Sequence, residues 1–161
     1  MLLWFAGGSF LAVWLVFRDP AIDHRLVMVG AVLPDVIDLP TGGTSVGHTV
    51  SASVVALLGV MLATRGRRLL RRQLLALPIG AFLHLVLDGA WTDTETFWWP
   101  AFGWELDGGR LPSIERGPPS LVLEVIGFGI LVWAHRRFRL GEPERRRTFL
   151  RSGRLGRDLA G

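Results

Sequence analysis

His84 and Asp88 are the two polar side chains in the otherwise apolar start of "IGAFLHLVLDGAW", residues 79–91. Four residues apart on a helix, they lie on one face, one turn from each other. A neutral imidazole and a carboxylate with this spacing can bind one divalent cation. The alternative is a His–Asp hydrogen bond that joins two helices. Because a buried polar group without a partner costs free energy, we expect further partners from elsewhere in the chain.

Side chains of the types that bind divalent cations are predicted at one level, near the ends of the apolar segments. They are Asp35, Asp38, His48, His84, Asp88 and Glu124. Taken singly, the two aspartates of "LPDVIDLP" are typical of an exposed loop, and His48 is typical of a helix start. Glu124 is stronger evidence, because an acidic residue inside an apolar span usually faces a partner or a polar cavity. Their convergence predicts a metal site.

The chain has no cysteine, which excludes a thiolate metal site and a disulfide framework. Imidazole and carboxylate ligands predict one or two divalent ions, Zn²⁺ first, with Mn²⁺ or Mg²⁺ as alternatives. We expect Asp35, Asp38, His48, His84 and Asp88 to hold them.

Apolar segments must position these ligands. Half of the 161 residues are hydrophobic, and the mean hydropathy is +0.38. Four apolar segments have lengths near the lower limit of about 17–25 residues for a spanning helix: 1–17, 49–64, 73–87 and 118–134. A further helix from Pro20 to Ile37 would be about 27 Å long. We predict an all-α integral membrane protein, a bundle of about five hydrophobic helices, four or five of them spanning.

The distribution of charged residues indicates the orientation of the chain in the membrane. Arginine is concentrated in residues 65–72 and 136–157, whereas 92–118 is acidic. By the positive-inside rule the first two are cytoplasmic and the third is outside. We therefore predict a multi-pass protein of the bacterial inner membrane, with the metal site on its outer face. Residues 1–139 would form the transmembrane domain and 140–161 a basic cytoplasmic tail that attracts anionic lipid.

Two remaining histidines are predicted to be interfacial, because His24 and His135 each lie beside an arginine at the cytoplasmic end of a segment. No nucleic-acid partner is expected.

The motifs resemble those of the YdjM-type membrane-bound, metal-dependent hydrolases. That family has a "PDxD" motif ending an apolar helix, a "THS"-like motif opening a following helix, an "HxxLD" helix and a "P-F" element. The corresponding stretches here are "LPDVID", "GHTVS", "LHLVLD" and "WWPAF", within about residues 26–102. The chain departs from the pattern in its aspartates, which are three apart rather than two, and in glycines where family members often carry a histidine before "THS".

The resemblance implies hydrolysis but no substrate. We expect a metal-activated water to attack a phosphoester of a lipid or membrane-surface substrate, with an amide or ester bond as a weaker possibility. Glu124 or Asp93 would be the general base, and Arg110 and Arg116 would bind phosphate.

Two readings from other classes stay open. One is a non-enzymatic transport protein that handles metal ions or protons. Such a path needs polar residues at the membrane midplane, and 50–63 and 74–83 offer almost none. The other is an adaptor that acts through its arginine-rich tail.

Overall fold

The computed structural model describes residues 1–19, 21–106 and 117–155. Within these ranges every regular element is helical, which confirms the predicted all-α class. The α-helices are α1 (Leu2–Phe17), α2 (His24–Gly30), α3 (Leu33–Asp38), α4 (Val50–Ala63), α5 (Arg68–Leu74), α6 (Ala76–Asp88), α7 (Thr94–Phe97), α8 (Pro118–Arg137) and α9 (Pro143–Ser152). Short 3₁₀ turns occupy Leu39–Thr41, Val46–His48 and Ala90–Thr92.

Two helical stretches among the described residues are long and apolar enough to cross a membrane. One is Arg68–Asp88, which comprises α5 and α6, and the other is α8. The apolar helices α1 and α4 are shorter, with 16 and 14 residues. Length and composition therefore support two spans, fewer than the four or five expected from the sequence.

Within the described part of the segment predicted as one helix from Pro20 to Ile37, the chain forms two short helices instead. α2 and α3 are separated by a turn at Ala31 and Val32. Pro34 has no N–H to donate to the carbonyl of Gly30, so the helix cannot continue through this point. Neither helix is long enough to span a bilayer, and the prediction of a single spanning helix here is wrong.

Proline also shapes the longer stretch that carries His84. α5 ends at Leu74 and α6 begins at Ala76. Pro78 cannot donate a hydrogen bond to the Leu74 carbonyl, four residues earlier, which accounts for the interruption between them.

Glycines allow the helices to pack closely. α1 packs against α8, α2 and α6, and α4 packs against α6. A Cβ on Gly7 of α1 would lie 2.6 Å from the carbonyl oxygen of Gly127 in α8. Where α2 crosses α6, a Cβ on Gly80 would collide with the carbonyl oxygen of Val27. Close approach through small residues is typical of helix pairs in membranes.

The C-terminal region, predicted as a basic cytoplasmic tail, folds back onto the helices as far as it is described. Leu155 is buried with Phe10, Ala134 and Phe138, and Phe149 packs against this cluster. The arginines of α9, apart from the half-buried Arg145, are exposed. The region therefore combines an anchored apolar side with a basic surface, and binding of anionic lipid there stays a prediction.

His24 and His135 differ in their surroundings. His135 is exposed, whereas His24, predicted to be interfacial, is fully buried. The backbone N–H of His24 donates to the Gly153 carbonyl at 3.1 Å, and its ring lies 5.0 Å from that of Phe10. Phe10 of α1 and the docked C-terminal region therefore both contact this residue, and the sequence carries no signal of its burial.

Candidate metal centre

Three elements bring together two imidazoles and a carboxylate. Asp35 lies on α3, His48 ends the turn before α4, and His84 lies one turn before the end of α6. The two Nε2 atoms are 3.3 Å apart. Oδ1 of Asp35 lies 3.5 Å from Nε2 of His48 and 3.7 Å from Nε2 of His84. The three ligand atoms lie within 4.8 Å of one another, so this group could hold a metal ion.

The His84 ring is fixed by the backbone. Its Nδ1 is 2.8 Å from the carbonyl oxygen of Ala31, and a carbonyl only accepts, so Nδ1 must be the donor. The ring is fully buried and packs against Phe5, with ring centroids 3.9 Å apart. The neutral ring therefore presents an unprotonated Nε2 to His48 and Asp35, which is the arrangement found in metal-binding histidines.

The His48 ring is fixed by Asp38. Its Nδ1 is 2.7 Å from Oδ2 of Asp38, and that buried carboxylate also accepts from the backbone N–H groups of Ser45 and Gly47, at 2.7 and 2.9 Å. Asp38 was expected among the metal ligands, but it contacts the ring on the side opposite Nε2. One turn of α3 thus directs Asp35 to one nitrogen of His48 and Asp38 to the other, and Asp38 orients the ring instead of joining the ligand group.

Gly47 is required for this contact. A Cβ at this position would lie 2.7 Å from the carbonyl oxygen of Pro34 and 3.0 Å from Oδ1 of Asp38. From the sequence, the glycines before His48 were noted only as standing where the family pattern often has a histidine, and no structural contact was predicted for them. Gly47 itself was the available signal in the sequence, because glycine is commonly used where the backbone must approach another group closely.

The facing Nε2 atoms fit a cation. When both Nδ1 atoms donate, neutral rings present two lone pairs to each other and to the Asp35 carboxylate. Zinc binds nitrogen at about 2.0–2.1 Å, so two nitrogens at a tetrahedral angle lie about 3.3 Å apart. The observed separation of 3.3 Å is compatible with this value and also with a hydrogen bond from protonated His48 to His84, and the two separations to Asp35 are slightly longer.

Electrostatics agree with a cation at this position. Burial alone would lower the pKa of His48, but the carboxylates of Asp35 and Asp38 raise it to about 9. The pKa of Asp38 is lowered, since His48 and the backbone N–H groups of Gly47 and Ser45 outweigh burial. Without a metal, a proton at Nε2 of His48 supplies the positive charge that the carboxylates favour.

Asp88 borders the group. It is 2% exposed, and its Oδ2 lies 3.8 Å from Nε2 of His48. It is outside the set whose ligand atoms all lie within 4.8 Å of one another. Asp35 is 21% exposed, so the group opens to the surface along this residue.

The two acids expected as general bases have other contacts. Oε2 of Glu124 accepts from the backbone N–H groups of Leu3 and Trp4, at 2.7 and 3.2 Å. This caps the start of α1, where the first N–H groups of a helix lack partners. Exposed Asp93 caps α7 by accepting from the N–H of Thr96 at 3.3 Å. Neither acid is part of the ligand group.

Arg110 and Arg116, expected to bind phosphate, lie outside the described residues. Of the five expected metal ligands, Asp35, His48 and His84 are brought together, Asp88 borders them, and Asp38 supports His48 from behind.

No protein-family model matches the chain, and no curated protein or solved structure is significantly similar to it. The resemblance to the YdjM-type hydrolases therefore stays a prediction from motif order.

Proposed function

We propose that the chain is a membrane-embedded, metal-dependent hydrolase whose divalent ion, Zn²⁺ first, is held by Asp35, His48 and His84. The observation that carries this proposal is the pair of Nε2 atoms 3.3 Å apart, with each ring fixed by a hydrogen bond from its Nδ1. Catalytic zinc sites have three protein ligands and an open position, whereas structural sites have four. A group of three that opens beside Asp35 favours catalysis.

In this proposal the ion activates a water molecule and Asp88 is the general base. A bound divalent ion lowers the pKa of its water to about 7. Asp88, whose Oδ2 lies 3.8 Å from Nε2 of His48, would be the general base that takes a proton from the attacking water. Hydrolysis would form a bond from the water oxygen to phosphorus and break the P–O bond to the leaving group, and Asp88 would return the proton to the leaving oxygen. In this role Asp88 replaces Glu124 and Asp93.

The placement of charge supports a site on the outer face of a multi-pass membrane protein. The stretch of α5 and α6 begins among arginines: Arg65, Arg67, Arg68, Arg71 and Arg72. His84 and Asp88 lie at its other end, which the positive-inside rule assigns to the outside. Exposed aromatic side chains follow that end, among them Trp98 and Trp104, which are 49% and 80% exposed. Such residues favour the headgroup level, where a lipid phosphoester lies.

A transport path is less well supported. Next to His84 on its arginine-rich side the core is apolar, with buried Val13, Val27 and Ala76 packed against Ile79 and Leu83, and the buried His24 lies beyond this interval. A relay for protons or metal ions would need polar side chains along this interval.

Metal content and turnover test the proposal together. Metal-depleted protein is purified in detergent, loaded with Zn²⁺ and assayed on a soluble phosphodiester. We expect stoichiometric zinc in the wild type, its loss in His84→Ala, and retained zinc with at least a hundredfold lower turnover in Asp88→Asn. Glu95→Gln, at an exposed acid of α7, is the matched control and should change neither. Stoichiometric zinc that survives His84→Ala would contradict the assigned ligands, and zinc-independent turnover would contradict the mechanism.

A further inference from the structure

An apolar groove of about 350 Å³ lies between α1, α4 and α6. Apart from Ser53, its lining is hydrophobic, with Val13 and Val16 from α1, Leu57 from α4, and Phe82 and Leu83 from α6. α1 and α4 both pack against α6, and the groove separates them.

On α6 the lining of the groove stops one residue before His84 of the candidate metal centre. Leu83 is the neighbour of His84, and the lining runs back along this helix to Pro78. At 1.5 Å per residue, this stretch extends about 9 Å from His84 toward the arginine-rich end.

On the other two helices, too, the lining residues lie on the side of the metal centre that faces the arginine-rich end. On α4 the lining begins at Ser53, just over one turn after His48. On α1, Phe5 packs against His84. The lining residues of this helix lie further toward the opposite end, and they are Ala12, Val13, Val16 and Phe17. All three helices therefore lead away from the metal centre toward the interior of the proposed bilayer.

The lining is suited to hydrocarbon. A groove with a single hydroxyl gives water few of the two to four polar partners that an ordered water needs. In a bilayer, lipid chains are as apolar as leucine, so a groove discriminates by shape and position more than by hydrophobicity. A chain seated here, with its polar end toward His84, would hold its phosphoester at the ligand group.

We infer that this groove holds the hydrocarbon chain of the lipid whose phosphoester is hydrolysed at Asp35, His48 and His84. The inference rests on the proposed function and adds a long-chain lipid as its substrate class. The hydrocarbon chain of the lipid would contribute by positioning the phosphoester, because binding of a remote part of a substrate can orient its reacting group.

The test uses two probes that differ only in chain length, hexadecyl 4-nitrophenyl phosphate and methyl 4-nitrophenyl phosphate, in nanodiscs containing Zn²⁺-loaded protein. Leu57→Trp fills the groove, and Val54→Phe is a second filling variant. The control is Leu58→Trp on the same helix, which is 50% exposed and does not line the groove. We expect both filling variants to lower turnover of the hexadecyl probe at least tenfold and to leave that of the methyl probe within twofold. The control should change neither, and zinc content checks that each variant is folded.

A photoactivatable phosphatidic acid with a mid-chain diazirine gives a readout that does not depend on turnover. We expect it to label peptides of α4 and α6 in the wild type and Leu58→Trp, and at least fivefold less in the filling variants. Equal labelling of all variants, or equal loss of both phosphodiesters, would overturn the inference while leaving a zinc hydrolase in place. Crosslinks between two chains at the groove would overturn it in favour of a second copy. If the wild type turns over neither probe, the proposed function itself fails.

Discussion

Asp38→Asn separates an orienting role for Asp38 from a ligand role. The carboxylate accepts three hydrogen bonds, from Nδ1 of His48 and from the N–H groups of Ser45 and Gly47. Asparagine has one acceptor oxygen and an NH₂ group that only donates. If the NH₂ group faces His48, Nδ1 must become the acceptor and the ring proton moves to Nε2. That nitrogen then has no lone pair for a metal.

The size of the effect follows from these contacts. If the amide oxygen faces His48 instead, the NH₂ group meets the N–H of Gly47, and one hydrogen bond to a charged acceptor, about 1.5–3 kcal/mol, is lost. Part of that loss lowers the stability of the fold and not the affinity for zinc, because the hydrogen bonds from Ser45 and Gly47 exist without metal. Replacing a residue that orients a metal-binding histidine typically weakens metal binding 10–100-fold. We therefore expect the zinc Kd to rise by this factor, about 1.4–2.7 kcal/mol.

The assay is a competition titration of metal-depleted protein in detergent against a chromophoric zinc chelator. His48→Ala gives the limit for a lost ligand. Asp23→Asn is the matched control for stability, since Asp23 is also buried and accepts from backbone N–H groups, at the start of α2. It should lower the melting temperature and leave the zinc Kd unchanged. An unchanged Kd in folded Asp38→Asn would refute the orienting role, and a loss as complete as in His48→Ala would make Asp38 a ligand.

Two further variants test the packing. Burial lowers the pKa of His24 from its ordinary 6.5. As the pH drops below about 6.5, this histidine therefore takes up a proton in the unfolded chain before it does so in the folded one. The stability of the wild type should fall over this range, by at most about 1.4 kcal/mol per pH unit. Thermal unfolding should show that His24→Gln removes this part of the pH dependence and that His135→Gln, at an exposed position, does not. Gly80→Ala should destabilise the fold by about 1–3 kcal/mol and weaken zinc binding, because its Cβ meets the backbone of α2. Gly59→Ala, which has open space around it, should be neutral or stabilising in the same measurements.

The sequence predicted the ligand group better than the helices that carry it. The i, i+4 spacing of His84 and Asp88 fixes their common face, and imidazole beside carboxylate indicates a cation. That Asp35 faces Nε2 of His48 and Asp38 faces Nδ1 was not predictable, because it depends on the orientation of the His48 ring. That orientation is set by the backbone N–H groups of Ser45 and Gly47, and residue types alone do not give their directions.

Glu124 shows why a general rule for buried acids did not suffice. Its position in an apolar helix indicated a partner, and it has one, but that partner is the start of α1, more than a hundred residues away along the chain. Unpaired N–H groups at a helix start favour a nearby carboxylate, whether or not the protein has a functional site there. Sequence patterns report that an acid needs a partner and not which one it finds.

The helix packing and the metal group are parts of one arrangement. Gly30 and Gly80 let α2 and α6 approach until their backbones touch, and the residue after Gly30 is Ala31, whose carbonyl fixes the His84 ring. The Nε2 lone pair of His84 thus depends on a glycine contact one turn of α6 away. A side chain at either glycine would separate the helices and release the Nδ1 hydrogen bond, while every ligand remained present. Gly30 and Gly80 are therefore needed to hold the group in a geometry that could bind a metal ion, although neither is among its three candidate ligands.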